Sequence, residues 1–391
     1  MDMAQYSTLR EALKDVPDPR QARGQRYAWV LLLTLISGAL SSGQRTAHAM
    51  ADWVRLHTVE LRAALQVSRE RLASEATLRR ALRAIDLIQL EKRLGQFAVS
   101  LVMEMPTAGT VQTIGGETLQ GQAVDGKALR GARAYGEAPH LVSLVRQGSG
   151  VVMAETAVAE KSNEITAVPR LLAGRDLSGT VTTMDAMHTQ RTTAQQILDQ
   201  GGHYLMIVKE NQPDLYKAIQ LLFDQPPWLE QERAAEYQVK RFPDKGHGRH
   251  EVRTLECSPA LNDYLDWPGV GLVFRRHCER LILKTGQVSR ETTYGITSLR
   301  TEQAGPVQLE TLCRGHWTIE NRVHYVRDVT MGEDANQTHV GHAPHALAAL
   351  RNAILNLFRQ HDWTNIAAAF RHYGASVSSA LELIGVQPAR L

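Results

Sequence analysis

VTTMDAMHTQRTTAQQILDQGGHYLMIVK, residues 181–209, decides the fold. Val181, Thr182, Thr183 and Met184 are β-branched or apolar and read as a strand that delivers Asp185 at its end. The TQRTTAQQILDQ run that follows reads as a helix closed by Gly201-Gly202, and HYLMIVK is a second strand. Strand, helix and strand in this order call for a sheet with helices on its faces.

The same logic extends upstream. Gln122-Ala123-Val124 forms a strand before Asp125 in QAVDGKALRG, and HLVSLVRQ (140–147) and VVMAETAVA (151–159) flank Gly148-Ser149-Gly150 as a hairpin. The full order is strand, hairpin, helix, strand, helix, strand, which is that of an α/β ribonuclease-H-like fold. The 134 residues between Asp185 and Glu320 are too many for such a domain in minimal form. An insertion over about 214–300 is expected, strand-rich because EVRTLEC, LVFRRHCERLILK and TTYGITSL alternate.

Three acidic residues carry the chemistry. Asp125 and Asp185 follow strands, and Glu320 lies in RGHWTIENRVHYVRD, a helix on which Trp317, Glu320, His324 and Arg327 recur at spacings of three, four and three. Such a face can present a carboxylate to metals with a ring and a cation beside it, or it belongs to an ordinary amphipathic helix with a salt bridge. Two carboxylates from strand ends and a third from a helix suit a two-metal nucleic-acid cutting site. Magnesium prefers carboxylate oxygens, and two ions about 3.5–4 Å apart stabilise the entering and leaving oxygens of a phosphodiester displacement.

Several longer motifs point the same way: DPRQARGQRY (18–27), AVDGKALRG (123–131), KSNEI (161–165), TMDAMHTQ (183–190), GGHYLMIVKENQP (201–213), KGHGRHEVR (245–253) and RGHWTIENRVHYVRDVTMGED (314–334). With them the chain closely resembles the DDE transposases of bacterial insertion sequences, in the group that includes the H-repeat-associated transposases. The resemblance implies that Asp125, Asp185 and Glu320 are the catalytic triad holding two Mg2+, with Mn2+ as a substitute. It implies cleavage at transposon ends, strand transfer of the 3′-hydroxyl into target DNA, and a homodimer on paired ends. A domesticated nuclease or a DNA-binding remnant of an insertion sequence is the alternative. In the wider superfamily the glutamate helix carries a tyrosine, arginine, glutamate and lysine signature. Here Cys313, His316, Glu320 and Arg327 stand at those offsets, so only the glutamate is identical and Arg327 keeps the charge.

Residues 1–105 read as a helical N-terminal domain, 106–360 as the catalytic domain, with 106–121 its linker or first edge, and 361–391 as a C-terminal tail without a readable motif. Arg20, Arg23 and Arg26 precede an apolar run, and Arg79, Arg80 and Arg83 lie on a basic amphipathic segment, 73–94, begun by Ser74. These arginines either contact DNA, as in the recognition helix of a helix-turn-helix, or solvate a core-forming helix. HAPHALAALRNAILNLFRQ (342–360) reads as a closing amphipathic helix.

Further DNA contacts are expected from Lys127, Arg130, His188 and Lys209, from Trp317, Asn321, His324 and Arg327 on the glutamate helix, and from Lys245, His247, Arg249 and Arg253 in the insertion. His247 and His250 lack a further ligand of zinc spacing. Asn163 and Glu164 begin a helix with Ser162-Asn163 as its cap, while Glu333 and Asp334 either assist the metal site or bond a basic neighbour. Lys127 and Arg130 do not make a P-loop, so no nucleotide cofactor is expected.

Composition sets the remaining bounds. The 391 residues are 43% hydrophobic, with net charge +3 and pI about 8.7, so a DNA surface is a local patch. Cys257, Cys278 and Cys313 lack metal spacing and read as reduced thiols. WVLLLTLISGAL (29–40) falls short of the ~20 residues a bilayer span needs and reads as a buried helix. The expected setting is the bacterial cytoplasm, at the nucleoid.

Overall fold

The computed structural model describes residues 6–133, 138–158, 164–225, 237–246 and 248–387. The Ser162-Asn163 cap and His247 lie outside the described residues.

Helices come first. α1 (Leu9–Lys14) opens on a capping box in which Thr8 and Glu11 satisfy each other's backbone N–H groups. The apolar run becomes α2 (Trp29–Ser41), a core helix buried along most of its length. No described helix is long and apolar enough to cross a membrane. After α3 (Ala47–Leu56) and α4 (Thr58–Leu65), the segment 73–94 departs from the single helix expected of it. It breaks into α5 (Glu75–Ala84) and α6 (Leu87–Glu104), because Asp86 accepts a hydrogen bond from the Gln89 N–H at 3.1 Å and caps a new helix. Ser74 holds the N-cap position of α5, but its hydroxyl meets that of Thr77 and not the backbone.

The sheet follows. The 106–121 stretch contains β1 (Thr110–Gln112) and the start of β2 (Thr118–Ala128), paired antiparallel. β3 (His140–Arg146) and β4 (Val152–Ala157) form the expected hairpin, with Gly148 and Gly150 at φ +74° and +75°, values that favour glycine. Then come α7 (Glu164–Leu172), β5 (Thr180–Met184), α8 (Arg191–Asp199), β6 (His203–Val208) and α9 (Pro213–Asp224). The expected insertion therefore opens on a helix, not a strand. Its strands β7 (Gln238–Gly246), β8 (Arg249–Ser258), β9 (Leu272–Ile282) and β10 (Val288–Thr297) make an antiparallel meander. They form no separate sheet: β10 pairs with β6, giving the order β4-β3-β2-β5-β6-β10-β9-β8-β7. β2–β5 and β5–β6 are the parallel pairs.

Period-two alternation divides the strands between two cores. Val124, Val142 and Leu144 face α7, α8 and α9, whereas Ala123, Val145 and Val152 face Ile319 and Val323. α10 (Pro306–His316) packs Leu309 and Leu312 on the latter side.

The C-terminal third departs most from expectation. α11 (Ala343–Gln360) is buried from Ala343 through Arg359 and has no solvent face, since it lies between the helical core and the sheet edge. Residues 361–391 are not a tail through residue 387. α12 (Ile366–Gly374) and α13 (Val377–Leu383) send Ile366, Ala369, Tyr373 and Leu381 into the same core as α2 and α6. Both ends of the chain thus build the helical unit. β4 would otherwise be an open edge, and Asn356 of α11 closes it by accepting from the Val152 N–H and donating to its carbonyl, both at 2.9 Å. Asn356→Ala is expected to destabilise the protein by about 1–3 kcal/mol per buried backbone group left unpaired, read from the midpoint of urea unfolding.

Candidate active site

Backbone register brings the first two carboxylates together. In the parallel β2–β5 pair Val124 lies opposite Met184, so the next residue on each strand is an aspartate. Asp125 continues in ladder with Ser143 of β3 and is largely enclosed, while Asp185 leaves β5 at the open end with its side chain 63% exposed. Glu320 arrives from another direction. After α10 the chain widens into π-helical turns over Ile319–His324 and Val326–Thr330, where the Tyr325 N–H donates to the Glu320 carbonyl and the Met331 N–H to that of Val326 at 2.8 Å. Such i to i+5 turns are rare and concentrate at functional sites.

Each carboxylate has a histidine neighbour. His324 Nδ1 lies 3.6 Å from Glu320 Oε1 and 3.7 Å from Asp125 Oδ2, and His316 Nε2 lies 3.6 Å from Asp185 Oδ1. Thr183 Oγ1, 2.9 Å from His316 Nδ1, steadies that ring. Burial and a hydrogen bond with Glu320 push Asp125 up to about 8, whereas the hydrogen bond with His324 holds Glu320 down to about 2. Burial and like charge thus favour a proton shared between the two carboxyls. Burial pushes His316 below the usual imidazole range, against the pull of Asp185. Donor atoms of Asp125, Glu320 and His324 come within 4.8 Å of one another, so this set fits a divalent cation in place of the shared proton. Asp125 and Asp185 line a cleft of 910 Å³, with Lys209, Asn211 and Tyr294 on its wall.

The wider turns redistribute the residues expected on one face. Trp317 is 61% exposed and Asn321 is also at the surface, but His324 is buried and Arg327 is completely enclosed. Arg327 donates to Glu155 at 2.5 Å and to Glu333 at 2.9 Å, and Arg351 donates to Glu333 at 3.0 Å. The expectation that Arg327 meets DNA is corrected: its guanidinium is consumed inside the protein. Lys127 is likewise buried against Asp328, and His188 lies buried 3.0 Å from Glu164. Arg253 is enclosed between Glu251 at 2.9 Å and Asp244 at 3.3 Å. None of these buried side chains is available to a phosphate in this arrangement.

Other expected contacts are open to solvent. Arg130, Lys209, Lys245 and Arg249 are exposed, as are Arg23, Arg26, Arg80 and Arg83. Arg79 is exposed but paired with Glu75 at 2.6 Å, and Arg20 is drawn inward by Asp18 and the Tyr27 carbonyl. Some residues at the site lacked a sequence signal. His316 departs from the superfamily signature, and Glu164 reads as a helix start, yet His316 is beside Asp185 and Glu164 is beside His188. Tyr325 joins Trp317, Asn321 and Val329 in an exposed stripe at spacings of four, visible only once the helix is known to widen.

Residues 116–357 match the family model described as Transposase DDE domain, and residues 10–98 match that described as DDE_Tnp_1-associated. The chain belongs to the DDE transposase family. Members of this family generally use divalent metal ions, and the acidic groups here can hold one. The H repeat-associated putative transposase YhhI of Escherichia coli K12 is 33% identical over 245 residues, covering 60% of this chain and 63% of that protein. Putative transposase YncI of Escherichia coli O157:H7 is 32% identical over 251 residues, 61% of each chain. The matched part thus spans about three-fifths of the curated relatives' length. A cryo-EM structure of the piggyBac transposase synaptic complex with hairpin DNA aligns at TM-score 0.46 and 10% identity, over 97% of this chain and 81% of that one.

Arg327→Ala is expected to cost about 3–5 kcal/mol of stability, because it strands the Glu155 and Glu333 carboxylates. Chemical denaturation measures this, and a DNA-facing arginine would instead leave the unfolding midpoint unmoved.

Proposed function

We propose that this protein is a DNA transposase that hydrolyses a phosphodiester at each end of its element and joins the freed 3′-hydroxyl to target DNA. The observation that carries the reading is the convergence on Asp125 of Asp185, from the adjacent parallel strand, and Glu320, from a helix, with the two aspartates lining one open cleft. We read β4-β3-β2-β5-β6 with its flanking helices as a ribonuclease-H-like catalytic unit, within 106–360, that β7–β10 extend on one side. The helical unit of residues 1–105, completed by α11 to α13, is assigned to recognition of the element ends.

Asp125, Asp185 and Glu320 are the residues assigned to hold two Mg2+ ions, with Mn2+ able to replace them. Bound divalent cations supply Lewis-acid polarisation of the phosphate and a lowered pKa for the attacking water or hydroxyl. The chain's own groups do the rest. His324 keeps Glu320 ionised and His316 lies against Asp185, so both carboxylates are oriented before substrate arrives. Lys209 and Asn211 on the cleft wall are assigned to the scissile strand, with Trp317, Asn321 and Tyr325 offering rings and an amide to unpaired bases. Exposed Arg130, Lys245 and Arg249 are assigned to phosphates farther along the duplex, and Arg23, Arg26, Arg79, Arg80 and Arg83 to DNA at the helical unit. Two element ends must be cut together, which a homodimer provides.

The test uses purified protein, a labelled fragment spanning the border of its gene, a target plasmid and Mg2+ or Mn2+. Cleavage and joined product are expected with wild type, falling by about 10²–10³-fold or more in Asp125→Asn, Asp185→Asn and Glu320→Gln, on the scale of losing one transition-state stabiliser. Retained fragment binding by the variants separates lost chemistry from lost recognition. Equal cleavage by all four proteins would reject the assignment.

A further inference from the structure

We propose that Asp125, Glu164 and His188 form a distinct cation site of mixed oxygen and nitrogen donors, which takes a transition-metal dication such as Mn2+ in preference to Mg2+. The proposal rests on the reading of Asp125 as a metal ligand and adds two residues outside the acidic triad.

One donor atom from each of these residues lies within 4.8 Å of the others, in a group that shares only Asp125 with the Glu320 and His324 set. The His188 side chain is 0% exposed, yet neither ring nitrogen makes a well-formed hydrogen bond among the described residues. Its Nε2 lies 3.0 Å from Glu164 Oε2, an oxygen that is itself buried without a well-formed hydrogen bond. A buried imidazole and a buried carboxylate aimed at one point are costly unless something joins them.

The surroundings hold that point open. His140 Nε2 sits 2.6 Å from Glu164 Oε1 and leaves Oε2 turned towards His188, as outer partners do for metal-binding carboxylates. Gly126 gives the space, since a Cβ there would fall 2.1 Å from Glu164 Oε2. Both Asp125 and His188 line the 910 Å³ cleft, which supplies a path from solvent. An imidazole nitrogen shifts preference away from Mg2+, which favours oxygen ligands, and towards Mn2+, Fe2+ or Zn2+.

The experiment soaks crystals of the full chain in MnCl2 and maps Mn2+ by anomalous scattering. It is paired with Mn2+ and Mg2+ titrations of wild type, Glu164→Gln and His188→Asn, each checked for folding by circular dichroism. A peak within coordination distance of His188 Nε2 and Glu164 is expected, with Mn2+ affinity falling more than about tenfold in both variants and Mg2+ affinity changing far less. Mn2+ found only among Asp125, Asp185 and Glu320, or equal losses for both ions in folded variants, would overturn the site. DNA cleavage is scored separately on the same protein. A peak at His188 without cleavage upholds this site and rejects strand cutting, whereas cleavage with no such peak does the reverse.

Discussion

The pairing of Val124 with Met184 across two parallel strands is the constraint on which the rest depends. It sets Asp125 and Asp185 at the same level of the sheet, Asp125 still in ladder with β3 and Asp185 just past the end of β5. A slip of one residue would turn one aspartate to the opposite face, because side chains alternate along a strand. Burial on both faces forbids that slip: Val124 and Met184 point into one core while Ala123 and Val181 point into others. The hydrophobic pattern that folds the sheet is thus also what aligns the acids.

Much of this was legible because it rests on local chemistry. Val181 to Met184 before Asp185, the double glycine after Gln200 and the glycine-flanked hairpin turn each announce their element. The apolar run from Trp29 also reads correctly, since its length alone separates a core helix from a membrane span. Long-range features leave no such mark. Nothing local tells that α11 is covered on all sides, as its polar residues look like a solvent face. They are instead spent inside: Arg351 on Glu333, Asn352 on Arg327, Asn356 on Val152 and Arg359 on the Gly150 carbonyl. A polar residue reads as exposed unless its partner, here 18 to 209 positions away, is known.

The glutamate helix shows the same limit at finer scale. Helical spacing assigns Trp317, Glu320, His324 and Arg327 to one face, but across the π-helical turns the last two are buried while Glu320 stays exposed beside Asp125. Arg327 stands where the wider superfamily has a lysine, and here it ties the helix to Glu155 of β4 and to Glu333. That bond connects Glu320's helix to the edge strand, and α11 connects the edge strand to the helical unit. A change in the packing of the helical unit therefore has a continuous packed route to Glu320.

The helical core also has a temporal meaning. Residues 6–101 emerge first from the ribosome, but their apolar faces are completed by residues 343–386. α2 must wait for α11 and α13, and β4 must wait for Asn356, while the whole sheet is made in between. A chain halted after Glu320 carries Asp125, Asp185 and Glu320 and still lacks the helix that closes β4. A product truncated before α11 keeps its acidic residues but lacks the core that α2 and α6 share with the last helices.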